Sequence, residues 1–238
     1  MEELLALLER YSPGYRNLIQ GFHEWYVDDL EETFGRTLPG FYKEFVRTVG
    51  QQAGPLLAHV HEYEPFHVAS LYRSTAMDMP PRRFFLLLGD PDPLAPMPYW
   101  LDLDAPSGDG DCEVVRIAFS EDAWKERIRR EFVSFREMLF TSAMENVCLP
   151  TLPHQVRYYR DERQDSEAEN IARILEKMGF KRLPLLHHSF LFEREGAAIS
   201  LYRPPDKSHV QLRAGMRSAD EFKLFQMLMV DHTSMKRP

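Results

Sequence analysis

The sequence holds no apolar run of the roughly 18–20 residues that a membrane-crossing helix requires. It has only two cysteines, Cys112 and Cys148. Two thiols build no disulfide framework, and these lack the spacing of a zinc site. They read as reduced cysteines of a cytosolic protein. No glycine-rich phosphate loop, Gly-x-Ser-x-Gly elbow or His-Glu-x-x-His helix is present. Basic residues are in the minority, 29 against 37 acids, for a net charge of −8. The opening MEELLALLER is acidic and amphipathic, where a secretory signal would be basic and then apolar. These absences lead to the expectation of a cytoplasmic protein that is not an enzyme, with no cofactor, no metal, and neither nucleic acid nor membrane as partner.

What is present is an ordinary globular composition, 44% hydrophobic and 28% charged over 238 residues, enough for one large domain or two small ones. The charge is divided unevenly. Residues 1–150 carry 25 acids and 14 bases, a net of −11, whereas residues 151–238 carry 12 acids and 15 bases, a net of +3. An acidic first part repels phosphates and attracts basic partners. The plainer alternative is a solvated acidic surface.

Apolar spacing predicts a short helix over 2–11, broken by Ser12-Pro13-Gly14. A longer helix is expected from Tyr15 to Phe34, with Leu18, Ile19, Phe22, Tyr26 and Leu30 on its apolar face. Gly35 suits a C-cap. Leu38-Pro39 opens another helix, whose stripe is Phe41, Tyr42, Phe45, Val46 and Val49. Phe66 to Leu71 reads as a strand or a helical turn. Arg83 to Gly89 reads as a central strand. Pro98 to Leu103 and Glu113 to Ala118 read as a hairpin, with Trp100 in the core and Tyr99 more exposed. Trp124, Ile128, Phe132, Phe135 and Leu139 then predict a helix capped by Ser120. A boundary is placed at Pro150, separating residues 1–149 from a small α/β accessory domain at 150–238. In that second part, strands are expected at 156–159, 190–194, 198–203 and 210–213, and helices at 166–178 and 221–229.

The stretch Val27 to Gly50, VDDLEETFGRTLPGFYKEFVRTVG, resembles the opening signature of the SUKH superfamily, the cell-wall-assembly-regulator and toxin-immunity family. The matching residues are Val27, Leu30, Glu31, Phe34, Gly35, Leu38, Pro39, Tyr42 and Phe45. Phe85 to Gly89, Trp100 to Leu103, Val114 to Ile117 and the segment with Phe132 and Phe135 follow in the family's order. The likeness covers roughly residues 15–145. It departs after the second helix, where Val49-Gly50-Gln51-Gln52 stands in place of Asn-Gly-Gly. The resemblance implies an α+β fold, a sheet with packed helices. It also implies a binding function: an immunity protein that neutralises a bacterial toxin, often a nuclease, by direct association. The alternative is a scaffold or regulatory module of the same fold. An acidic inhibitor of a basic toxin is physically sensible, because opposite charge speeds encounter.

The candidate partner-binding residues are the acids around the hairpin, Asp90, Asp92, Asp102, Asp104, Asp109 and Asp111, with Tyr99 as an aromatic anchor. A calcium loop is an imperfect match: counting from Asp102, Glu113 falls at position twelve, but Ser107 stands where glycine is needed. Glu31, Gly35, Leu38, Pro39, Tyr42 and Phe45 form the structural motif, and Glu31 is expected to hold the loop before Leu38 rather than to act as a catalyst. His59, His61 and His67 are conceivable metal ligands, as are His187, His188, His209 and Glu193 if the C-terminal part resembles one glyoxalase module. Ordinary surface or half-buried side chains are the plainer reading for both sets. No oligomeric state is indicated.

Overall fold

The computed structural model describes residues 1–58, 64–74, 79–89, 97–108, 110–118, 128–161, 167–184, 186, 188–206 and 209–237. Among them are seven α-helices and two antiparallel sheets, an α+β fold. No helix among the described residues is long and apolar enough to cross a membrane. The chain divides into two compact units, Met1–Glu9 with Pro13–Leu139, and Arg10–Ser12 with Phe140–Pro238.

The first unit carries helix α1 (Glu2–Tyr11) as far as Glu9, helices α2 (Glu24–Phe34), α3 (Gly40–Val49) and α4 (Pro65–Arg73), and strands β1 (Phe84–Leu88), β2 (Tyr99–Gly108), β3 (Asp111–Arg116) and β4 (Arg129–Phe132). The strands form a four-stranded meander in sequence order. Its core is aromatic. Phe85 stands edge-on to Phe34 and Tyr42, and Phe135 edge-on to Phe45. Trp100 is fully buried and its indole N–H donates to the Ile117 carbonyl at 3.0 Å. Tyr99, its neighbour across the pleat, is only half-buried, as strand alternation requires.

The single helix expected from Tyr15 to Phe34 is two pieces. A 3₁₀ turn covers Tyr15–Leu18, and α2 begins only at Glu24. Two contacts force the break. The buried Tyr15 hydroxyl donates to the Ala53 carbonyl and accepts from Leu56 N–H, at 2.7 and 3.0 Å. The chain then crosses α3 at Gly21, where a Cβ atom would lie 1.7 Å from the Arg47 carbonyl oxygen. Phe22 N–H bonds the Val46 carbonyl beside that crossing. These long-range bonds outweigh the local apolar spacing.

A second correction concerns the helix expected to run to Leu139. Ser120 and Trp124 lie outside the described residues. Arg129–Phe132 is strand β4, paired with β3 through Val114↔Phe132 and Arg116↔Arg129. Helix α5 starts at Phe135 and runs to Ala143. The open choice for Phe66 to Leu71 resolves as helix α4.

The second unit has strands β5 (His154–Asp161), β6 (Lys181–Arg182), β7 (Phe190–Arg194), β8 (Ala197–Tyr202) and β9 (His209–Met216), and helices α6 (Glu167–Lys177) and α7 (Ala219–His232). The sheet order is β5-β9-β8-β7-β6, with every pairing antiparallel. One face packs Tyr158, Phe192, Ile199, Leu201 and Leu212 against Ile171 and Leu175 of α6 and Phe225 and Met229 of α7. Gly179 ends α6 in the left-handed region, at φ 84°, as its place after the helix predicts. Between α5 and β5, Met144–Cys148 forms a π turn that carries the half-buried Glu145 to Ser200 and Arg213, at 3.0 and 3.2 Å.

Candidate functional site

Glu31 acts as a clasp. Its carboxylate accepts the Leu38 N–H at 2.6 Å and meets Lys43 Nζ at 2.8 Å. Gly35, at φ 79°, closes α2 with its N–H on the Glu31 carbonyl. Pro39 sits at the N-cap of α3, one residue ahead of the expected first turn. Leu38, Tyr42 and Phe45 are buried. One side chain thus fixes the loop between two helices, through two contacts that both fall on its Oε1.

The acids of the hairpin prove unequal. Asp90, Asp92 and Asp109 lie outside the described residues. Asp102 is not on a solvated loop; it is buried on β2 and bound through both oxygens by Arg83, at 2.6 and 2.5 Å. Asp111 is likewise buried. It accepts its neighbour's Cys112 N–H at 2.8 Å, and the Phe135 and Arg136 N–H groups at 3.3 and 2.8 Å, capping α5. Burial raises its carboxyl above the usual range, against the pull of those hydrogen bonds. Asp104 is exposed and paired with Arg36 at 2.8 Å. Tyr99 stacks under the Arg116 guanidinium, 4.8 Å from its ring centre. The described hairpin acids are therefore occupied within the chain. Alternation and turn chemistry show where a strand bends, but they do not show which cation reaches across to it.

Two unpaired acids of the first unit lie on α2. On α2, Tyr26, Val27, Leu30 and Phe34 face inward. The opposite face presents Trp25, 62% exposed, with exposed Asp28 and Glu32 three and seven residues on. At 100° per residue these share one arc of the helix. Asp28 and Glu32 have no ion pair among the described residues. Their neighbours are paired: Glu24 with Arg47 at 2.9 Å and Asp29 with Arg73 at 2.7 Å. The Arg73 contact ties α2 to α4, whose Phe66 is also open, at 59% exposure. Trp25 escapes sequence reasoning because a tryptophan in an amphipathic helix reads as core by default. The available signal was its place opposite the Tyr26, Leu30 and Phe34 stripe.

Other candidates do not assemble. His59, His61 and His187 lie outside the described residues, while His67 meets Glu64 at 2.5 Å, one helical turn away. Glu193 and His209 sit at opposite ends of the second sheet. Glu193 pairs with Ala198, which faces Gly215, six residues along β9 from His209, or roughly 20 Å at strand rise. No group of three metal-ligating side chains occurs among the described residues. Burial pushes both cysteine thiols well above their ordinary range, so neither is a ready nucleophile. A cavity of about 720 Å³ in the second unit is lined by Arg10, Lys181, Arg182, Glu193, Arg194 and Arg217, among others. Its charges are partly spent: Arg10 pairs with Glu193, and Arg194 with Glu221 and the Met178 carbonyl. Compared with protein-family models and with curated proteins, the chain matches none.

Proposed function

We propose that the chain is a protein-binding module that receives a basic protein partner on the outer face of α2, in the manner of an immunity protein. The observation that carries this reading is Trp25, largely exposed on the same arc of α2 as two unpaired carboxylates. Covering its ring removes on the order of 100 Å² of apolar surface, worth about 2.5 kcal/mol at roughly 25 cal/mol per Å². Asp28 and Glu32 add little to affinity once screened, but they steer a cation-rich partner to the ring. The net charge of −11 over residues 1–150 acts in the same direction at longer range. The SUKH-like motif supports the immunity reading by analogy of fold and not by site chemistry.

The test is co-expression with the product of the adjoining gene, followed by titration of the purified pair in a calorimeter. The reading expects that product to be basic and toxic, to be neutralised by this chain, and to bind the Trp25→Ala variant at least tenfold more weakly. A harmless neighbour, or full protection and unchanged affinity with Trp25→Ala, removes the proposal; the harmless neighbour favours a housekeeping scaffold.

A further inference from the structure

Helix α7 turns Phe225 and Met229 into the second unit and is capped by Ser218, whose hydroxyl accepts the Glu221 N–H at 3.3 Å. Its other face is unusually apolar for a solvent-facing helix. Leu224, Met227 and Val230 are 56, 62 and 65% exposed. Exposed Lys223 and Asp231 flank them, and neither has an ion pair among the described residues. A groove of about 670 Å³ runs beside the helix, lined in part by Tyr158, Gln226, Met227, Val230 and Met235.

The order of these residues is symmetric about Met227. Reading outward in either direction, an apolar side chain comes three residues away and a charge four residues away, with the two charges opposite in sign. An isologous contact requires this property, since whatever lies at position i on one copy must suit position j on the other, and the reverse. If two copies of α7 meet antiparallel about an axis at Met227, Lys223 lies level with the partner subunit's Asp231, and Leu224 with the partner subunit's Val230. Both pairings occur twice. Each charge stands about 6 Å along the helix from the axis, within reach of a lysine stem across the seam. Parallel pairing would set lysine level with lysine and aspartate level with aspartate. We infer that α7 is a self-association surface, on which two copies of this chain pack antiparallel around Met227 with the neighbouring groove receiving the partner's apolar side chains. One helix face is smaller than the roughly 1,200 Å² of a standard interface, so the dimer is a concentration-dependent one. This inference stands apart from the α2 reading and fails or holds without it.

Sedimentation velocity of the full chain, from about 5 to about 500 μM, tests it. The expected result is a shift from monomer to dimer across that range. Lys223→Glu alone and Asp231→Lys alone should each move the midpoint at least fivefold higher, and the double variant, which restores opposite charges level with each other, should recover it. Met227→Cys should cross-link to a covalent dimer under diamide far faster than Glu176→Cys, an exposed control on α6; both native cysteines are buried. Circular dichroism confirms that each variant is folded. A wild-type chain that stays monomeric at the highest concentration overturns the inference, as does a double variant no better than the singles, or equal cross-linking at positions 227 and 176.

Discussion

Helices α2 and α7 each bury one face and leave a large apolar side chain on the other, but they differ in the charges around it. Trp25 shares its arc of the helix with Asp28 and Glu32, charges of one sign with no ion pair among the described residues. Met227 is flanked by Lys223 and Asp231, charges that cancel and are symmetric about it. A one-signed surrounding repels a copy of itself and selects something of the opposite sign. A balanced, symmetric surrounding is its own complement. The exposed apolar residue supplies contact in both places, and the charge pattern specifies with what. The hairpin acids make a third case, because Asp102 and Asp111 are consumed by Arg83 and by the start of α5. A count of acids per segment does not distinguish these three situations.

The largest expected effect comes at α2. Trp25→Ala should cost about 2–3 kcal/mol of binding to the basic partner by calorimetry, with a shift in urea stability within about 0.5 kcal/mol. Equal losses in both measurements would mean that Trp25 is a packing residue and would dissolve the contrast. Asp111→Ala should do the reverse. Removing a buried cap of α5 should lower stability by about 1–2 kcal/mol in urea, and partner affinity should stay within twofold.

A smaller effect concerns Glu145, whose carboxyl burial raises above its ordinary value near 4.5, while Arg213 and the Ser200 hydroxyl draw it back. A carboxyl raised in the folded state favours folding most below its unfolded value, and that contribution is lost as pH rises through the folded value. The stability of the native chain relative to Glu145→Gln should therefore decline as pH rises above the ordinary carboxyl value near 4.5, measured by urea midpoints at a series of pH values. A flat or rising difference contradicts the assignment. The smallest effect belongs to the pair Asp28→Asn and Glu32→Gln, expected to slow association by roughly threefold at low salt and by less at high salt, with dissociation unchanged in stopped flow.

Much of the local architecture was legible in the sequence. The α3 stripe, the Gly35 stop, strand β1 and the β2–β3 hairpin follow from spacing, glycine placement and alternation, whereas the loop-holding role of Glu31 was expected from the family resemblance. In the second unit, strands β7, β8 and β9 and helices α6 and α7 begin and end within a few residues of expectation. The failures share a cause. Tyr15 bonds Ala53 and Leu56, Gly21 rests on Arg47, and Phe132 pairs with Val114. In each case a distant contact overrides a plausible helical period, and nothing in the local window announces it. The site was less legible than the fold for the same reason. Arg83 and Arg36 reach the hairpin acids from 19 and 68 residues away, and no local window shows either contact.

Gly21 gives this arrangement an uneven tolerance for change. The face of α2 projects into solvent, so Trp25, Asp28 and Glu32 can be exchanged at little cost to folding, and the partner specificity proposed for them is open to rapid evolutionary revision. The attitude of that face is set four residues earlier by a position that admits no side chain, since even a methyl group would collide with the Arg47 carbonyl. Gly21→Ala would leave every contact residue intact yet re-aim them all, so the lineage can rewrite what the helix says far more easily than where it points.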